Sequence, residues 1–539
     1  MGIPYYFSYI IRNYPNILVN IKNTQTEIHS LYIDSNSIIY DVYNEIEELP
    51  KQLHFEFESK IIQKVIEKIN HLIDTINPQK RVFIAFDGVA PLAKLQQQRS
   101  RRYLSDYQKN INEQLCKNSN IKSSQKNWST CNITPGTSFM NRLNTTIRNA
   151  YTKHPLSVIF SGSDEPGEGE HKLFSYIRRN NFHLTESITI YGLDADLIML
   201  CLNHQHLCKS INLWRETPLF IKSLDADLNE NDNYLLDIPI LGEKIMDFLD
   251  KKINNNSISV SVPINLKNCM EDYIFICFLL GNDFLPHFPS INIRTGGLDK
   301  LLMAYKKLIL KSTDYLTTNG SINWNIFSKF IEILKNEEEV FLIEEYELRN
   351  KKQRHKIDGD SYQDNYKRFE LKPCFERTIE HFINPKEAYW QKRYYSSLLH
   401  IKNDDNYRKR KSLCMNYLQG LEWTLQYYTK ECCDWSWEYK YHYPPLLEDL
   451  IKFIPSTNQH SFFTSNDSQP LPPLVQLAYV LPQNHLYLLP PGIRNKLYNE
   501  FRDCYRNDWE FQWAFCKYFW ESHVMMEPID IHKLKKMIP

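Results

Sequence analysis

Residues 188–200 read ITIYGLDADLIML. Ile188, Ile190 and Tyr191 have the pattern of a strand, and Leu197, Ile198, Met199 and Leu200 ask for equal burial. Two carboxylates, Asp194 and Asp196, stand near the middle of this apolar run. Desolvating a charge among such neighbours is costly unless it is paired. Either each aspartate has a basic partner, or the two share a strong positive charge, for which a divalent metal is the economical candidate. In an extended chain, residues two apart face the same way, which would put both acids on one side.

Outward from that stretch, HSLYIDSN (29–36), RVFIAFDG (81–88) and LSVIFSG (156–162) are further strand candidates, separated by helix-like runs. This alternation over 1–215 predicts an α/β fold with a parallel or mixed sheet. SLYID ends at Asp34, VFIAFD at Asp87 and ITIYGLD at Asp194. Ligands of open α/β sheets bind beyond the carboxyl ends of the strands, so these acids should crowd into one crevice. SGSDEPGEGEHK (161–172) adds Glu168 and Glu170 where a glycine-broken loop enters a helix. GNDFLPHFPS (281–290) adds Asp283 beside a Gly-Asn turn. Asp34, Asp87, Glu168, Glu170, Asp194, Asp196 and Asp283 in one pocket would repel and raise one another's pKa values. Two Mg²⁺ or Mn²⁺ ions relieve that repulsion, and a metal pair about 3.5–4 Å apart is the apparatus of in-line phosphodiester cleavage. Any one of these acids alone reads as a cap or a surface ion pair; the set points to metal.

GVAPLAKLQQQRSRRYLSDY follows Asp87 directly. At 100° per residue Lys94, Gln98, Arg101 and Arg102 share one helix face, while Arg99 points elsewhere. Such a row suits a terminal phosphate held by charge-assisted bonds, and Pro91 can start the helix. A phosphate pocket beside a metal pair implies cleavage one step in from a chain end. Farther on, CCDWSWEYKYHYPP (432–445) is dense in aromatics. Such density is usually core, yet Trp435 or Trp437 could stack on an exposed base.

The bulk numbers set bounds. A chain of 539 residues with 42% apolar and 24% charged composition is globular, not disordered. Lys plus Arg and Asp plus Glu both count 64, which argues against a uniformly basic nucleic-acid binder but leaves room for a segregated surface. The twelve cysteines form no C-x-x-C pair, and Cys201, His204, His206 and Cys208 fit no zinc spacing, so free thiols in a reducing compartment are expected. MGIPYYFSYI lacks the features of a signal peptide and of a myristoylation site, and runs such as IFICFLLG (274–281) are too short to span a bilayer. The expectation is a soluble, cytoplasmic protein that acts as a monomer, without a membrane. By composition the chain divides into 1–215, 216–412 with the Asp283 motif and a charged stretch from 340, and an aromatic-rich, mainly helical 413–539. The stretch at 107–132 reads as a polar loop or an exposed helical projection.

In order along the chain, MGIPYYF, IDSNSIIY, DGVAPLAKLQQQRSRR, ITPGTSFM, SGSDEPGEGEHK, YGLDADLIML, GNDFLPHFPSINIR, GLEWTLQYY and WSWEYKYHYPP together resemble the 5′→3′ exoribonuclease (XRN) family. The resemblance implies a mixed-sheet nuclease core of the flap-endonuclease (PIN-like) type with flanking helices, and a helical second conserved region packed on it. It implies that the seven carboxylates hold two Mg²⁺ (or Mn²⁺). It implies a 5′-monophosphate pocket at Lys94, Gln98, Arg101 and Arg102, and an entrance at Pro91 that admits single strands. It also implies a stacking tryptophan within W-S-W, either Trp435 or Trp437. The chain departs from the family where His is usual and Tyr40 stands here, and where a basic residue after V-A-P is replaced by Leu92. The accessory C-terminal domains of the large members are not expected. The implied activity is degradation of single-stranded 5′-monophosphorylated RNA to nucleoside 5′-monophosphates, in RNA turnover or decay after decapping, with capped and 5′-triphosphate ends excluded. Two other readings use the same residues: a structure-specific DNA flap nuclease, and a non-catalytic binder of 5′-phosphorylated RNA.

Overall fold

A computed structural model describes all of the chain except residues 1–2, 4, 25–26, 48–52, 122–127, 219–220, 224, 255–265, 310–313, 356, 403–405, 465–467 and 539. At its centre lies a seven-stranded mixed sheet in the order β1-β7-β6-β5-β2-β3-β4. The strands are β1 (Leu18–Asn20), β2 (Ser30–Asp34), β3 (Arg81–Ala85), β4 (Ser157–Ser161), β5 (Ser187–Tyr191), β6 (Ser210–Arg215) and β7 (Tyr234–Asp237). The four strands expected from the sequence are β2, β3, β4 and β5. They form one parallel block, with β2 paired to β3 and β5, and β3 paired to β4. The edge made by β6, β7 and β1 was not expected, and there β7 runs antiparallel to both neighbours. Of these strands, β1 has three residues and β7 four, and they pair with each other from opposite ends of the region, so periodicity had little to report there.

Period-two alternation decides which residues meet which helices. Tyr32, Phe83, Ile188 and Ile190 face one core, with α6 (Gly169–Arg179) and α7 (Asp196–His204) against them. Leu31, Ile33, Val82 and Ile84 face the other, covered by α2 (Asn36–Glu45), α3 (His54–Ile76) and α5 (Ser138–Ala150). A sheet covered on both faces explains why β2 and β5 are buried along their full length. The first core also takes in Trp423, Tyr427, Tyr428 and Trp437 from the second region, whose central helix is Asn406–Thr429. The fold is thus a nuclease-like α/β core with a mainly helical second region packed on it.

The row of basic residues lies on α4 (Leu92–Asn118), which runs on into the first part of the polar stretch expected to be a loop or an exposed helical projection. Pro91 occupies its N-cap position, and the Leu92 amide donates to the Trp435 carbonyl oxygen at 3.0 Å. The W-S-W loop therefore closes the start of the helix. All twelve cysteines are free thiols. Among the described residues no helix is long and apolar enough to cross a membrane.

Candidate active site

Asp34 is the last residue of β2, Asp87 lies just past β3, and Asp194 just past β5. Because β3, β2 and β5 are adjacent and parallel, the three carboxylates emerge side by side. Glu168 holds the N-cap position of α6, and Glu170 lies in its first turn. Asp196 opens α7. Helix N-termini carry partial positive charge, a favourable place for these acids. Asp194 and Asp196 are not on one extended strand: the chain leaves β5 at Tyr191 and enters α7 at Asp196, so the alternation argument for their common direction does not apply. The strand-to-helix turn brings them together instead.

Two glycines make the approach possible. A Cβ on Gly169, between the two glutamates, would lie 2.5 Å from Asp34 Oδ1. A Cβ on Gly88 would lie 1.7 Å from the Glu165 carbonyl oxygen. There the Asp87 and Glu168 loops are zipped by Gly88 N–H to Gly167 O and Gly167 N–H to Val89 O, both 2.8 Å. Asp87 is further held by the Gly169 amide at 2.7 Å and the Asn36 amide group at 2.5 Å.

Asp34, Asp87, Glu168, Glu170 and Asp194 line a cavity of about 380 Å³. Gln98, Arg101, Arg102 and Tyr40 line the same cavity. Arg99 points away, donating to the Glu527 and Cys504 carbonyl oxygens at 2.8 Å. Lys94 also reaches the cavity, but its Nζ sits 2.5 Å from Glu168 Oε2 and 2.7 Å from Asp283 Oδ2. It is the internal counter-charge of the acids, whereas Arg101 and Arg102 make no ion pair among the described residues. Asp283 lies behind Lys94, in a turn closed by Asn282 Oδ1 accepting from the Phe284 and Leu285 amides.

Burial and mutual repulsion dominate the electrostatics. Burial pushes Asp34 well above the carboxylate range, helped by Asp87 and Asp194. Burial raises Glu170 in the same way, with Asp196 and Glu168 adding to it. Asp196 is pushed up to about 7, by burial first and then by Asp283. Asp283 goes the other way: burial opposes its charge, but the Lys94 ammonium holds it well below the usual range. Asp34 Oδ1, Glu170 Oε2 and Asp196 Oδ1 are buried without a hydrogen-bond partner. Buried acceptors in a native fold are normally satisfied, so three orphaned oxygens on a hard-oxygen donor set fit divalent cations.

Sequence reasoning missed several residues here. Tyr427 Oη donates to Glu168 Oε1 at 2.9 Å, and Tyr428 lies beside Asp196, which raises its hydroxyl pKa further after burial. Consecutive tyrosines from the second region thus border two acids of the first. His171 stacks on Tyr427 with centroids 3.7 Å apart, and its ring lies with Glu168 and Glu170 in a group whose ligand atoms are within 4.8 Å of one another. Lys172 donates to the Phe86 and Gly162 carbonyl oxygens and is pushed down to about 8 by burial. An E-x-E-H-K string could have suggested His171; nothing in the sequence ties Tyr427 to Glu168.

Residues 1–217 match the family described as XRN 5'-3' exonuclease N-terminus, and residues 263–381 and 382–538 match the Xrn1 helical domain. The chain belongs to the XRN family. Over 99% of its length it is 26% identical to 5'-3' exoribonuclease 1 of Saccharomyces cerevisiae, of which it spans 43%. It is 26% identical over its full length to the 5'-3' exoribonuclease 2 homolog of Drosophila melanogaster, spanning 71% of that protein. To human 5'-3' exoribonuclease 1 it is 27% identical over 99% of this chain, spanning 34% of the human protein. The XRN relatives thus extend beyond the matched part.

Within this XRN chain the two tryptophans differ. Trp437 is buried and stacks on Trp423 with centroids 5.2 Å apart. Trp435 is half-buried beside Leu92, and its amide is fixed by Ser468 Oγ at 2.7 Å. Both line a larger cavity of about 1040 Å³ on the Leu92 side of α4.

Proposed function

We propose that the chain is a 5′→3′ exoribonuclease that shortens single-stranded RNA bearing a 5′-monophosphate and releases nucleoside 5′-monophosphates. One observation carries this reading: acids from three adjacent strand ends share a cavity with Gln98, Arg101 and Arg102. A terminal phosphate held by Gln98, Arg101 and Arg102 would set the first phosphodiester against the acids.

Two Mg²⁺ or Mn²⁺ ions, when bound, would supply the charge that activates water and steadies the leaving oxygen. Asp34, Glu168, Glu170, Asp194, Asp196 and Asp283 would hold them, with Asp87 oriented by Asn36 and Gly169. The chain's own residues do the rest. Arg101 and Arg102 bind the phosphate oxygens by charge-assisted bonds, and Gln98 adds a neutral partner. Lys94 keeps Asp283 ionised and spans it to Glu168. Tyr427 orients Glu168 through its hydroxyl. Trp435, the more accessible of the pair, stacks on an incoming base beside Pro91, and Tyr40 stacks nearer the cut without the positive charge a histidine could carry. The protein acts as a monomer in the cytoplasm, on RNA freed of its cap by another protein; its free thiols suit that compartment.

The test is one end-labelled RNA with a 5′-monophosphate, a 5′-hydroxyl or a 5′-triphosphate, each with Mg²⁺ and with EDTA. Only the monophosphate form should be shortened to mononucleotides, and only with Mg²⁺. Cleavage of all three, or internal cuts, would remove the phosphate pocket from the account.

A further inference from the structure

Helix α4 lines three cavities in succession. Leu92 borders the Trp435 cavity, Lys94 to Arg102 border the catalytic cavity, and Ser105 to Asn112 border a third space of about 530 Å³. Ser105 and Thr130 line both the catalytic cavity and the third one, so the two spaces adjoin. At 100° per residue Ser105, Gln108 and Lys109 continue the face of Lys94, Gln98 and Arg101, so one polar stripe runs through both. Tyr43 and Tyr366 flank the far end, with His485 held by Asp106 at 3.0 Å.

We propose that this third cavity is the exit for the released nucleoside 5′-monophosphate, an inference that rests on the exoribonuclease reading above. The strand arrives past Trp435 and Leu92, and its 5′ phosphate stops at Gln98, Arg101 and Arg102. After cleavage the shortened strand must advance into that position, so the path behind the product is occupied. The third cavity adjoins the catalytic one through Ser105 and Thr130, farther along α4 than Gln98, Arg101 and Arg102. It encloses about 530 Å³. Lys109 and Gln108 offer the phosphate its next partners, and Tyr43 and Tyr366 offer the base aromatic surface.

Gln108→Trp and, separately, Asn112→Trp would narrow this space, and neither residue lines the catalytic cavity. In rapid-quench assays on 5′-monophosphorylated RNA, the first bond should break at the unaltered rate. Later turnovers should slow by about tenfold or more, leaving a burst equal to the enzyme concentration. Unchanged steady-state rates, or first and later turnovers slowed alike, would overturn the exit. A readout on the unaltered protein guards against misfolded variants: adenosine 5′-monophosphate should protect the exposed Lys109 from an amine-reactive label, and absence of protection counts against the proposal. If the unaltered protein cuts no RNA at all, the exoribonuclease reading fails instead, and the labelling result still reports whether the cavity takes a nucleotide.

Discussion

Two buried charge clusters lie in different parts of this molecule, and they are built on opposite principles. In the charged stretch after residue 340, Glu380 is 1% exposed and its carboxylate is fully engaged. Arg349 reaches it at 2.6 and 2.8 Å, Arg377 at 2.5 Å, and the Phe515 amide at 2.8 Å. Burial opposes its charge, yet Arg349 and Arg377 hold it below the carboxylate range. In the nuclease core, Asp34, Glu170 and Asp196 are also buried but repel one another, keep unpartnered oxygens, and are pushed up. One cluster balances itself and ties helices together. The other has only Lys94 as internal counter-charge and keeps buried oxygens that cations would satisfy. A buried carboxylate is therefore informative through what its oxygens lack, not through burial itself.

The largest expected effect separates the clusters by activity. Asp196→Asn should reduce RNA cleavage to background while leaving thermal stability equal or higher, because it removes a repelled charge. A cleaving Asp196→Asn protein would break the contrast at its functional end. Glu380→Gln should do the reverse. Leaving Arg349 and Arg377 buried without their anion should cost about 3–5 kcal/mol in urea unfolding, with cleavage per folded molecule unchanged.

A pH series sharpens the comparison through sign. Asp34, Glu170 and Asp196 have folded pKa values above their unfolded ones, so they favour folding at low pH. That contribution is lost as pH rises from the ordinary carboxylate range through about 7, where Asp196 ionises. In EDTA, melting temperature should fall across that window, and Mg²⁺ should abolish the fall by binding the folded form. Glu380 has a lowered folded pKa, so its contribution is present above the ordinary carboxylate range and disappears as pH falls through its folded value. Melting curves of Glu380→Gln should therefore lose an acid-side dependence and keep the EDTA-sensitive one. The smallest effect belongs to Tyr427→Phe, which removes one donor from Glu168. It should lower the cleavage rate by about tenfold or less, roughly one hydrogen bond, with little change in substrate affinity.

Much of the site was legible because strand ends write themselves into sequence. SLYID, VFIAFD and ITIYGLD each show a buried run that stops at an acid, and E-G-E shows a helix start. The helical spacing of Lys94, Gln98, Arg101 and Arg102 was equally readable, as was the outward turn of Arg99. Lys94 shows where such reading stops. Its position on the helix face was plain, but its partners, Glu168 and Asp283, come from segments far away in the chain.

The sequence by itself determined the parallel block of β2 to β5, the set of acids at its ends, and the helix that faces them. Each of these is local: periodicity, a strand end or a helix face lies within a few turns of chain. Only the tertiary structure decided that Lys94 pairs with Glu168 and Asp283, that Tyr427 steadies Glu168, and that Trp437 is core while Trp435 is accessible. It alone added the β6-β7-β1 edge and matched Glu380 to Arg349. These pairings join residues tens to hundreds of positions apart, and desolvation and Coulomb energy depend on distance in space, which no periodicity along the chain records.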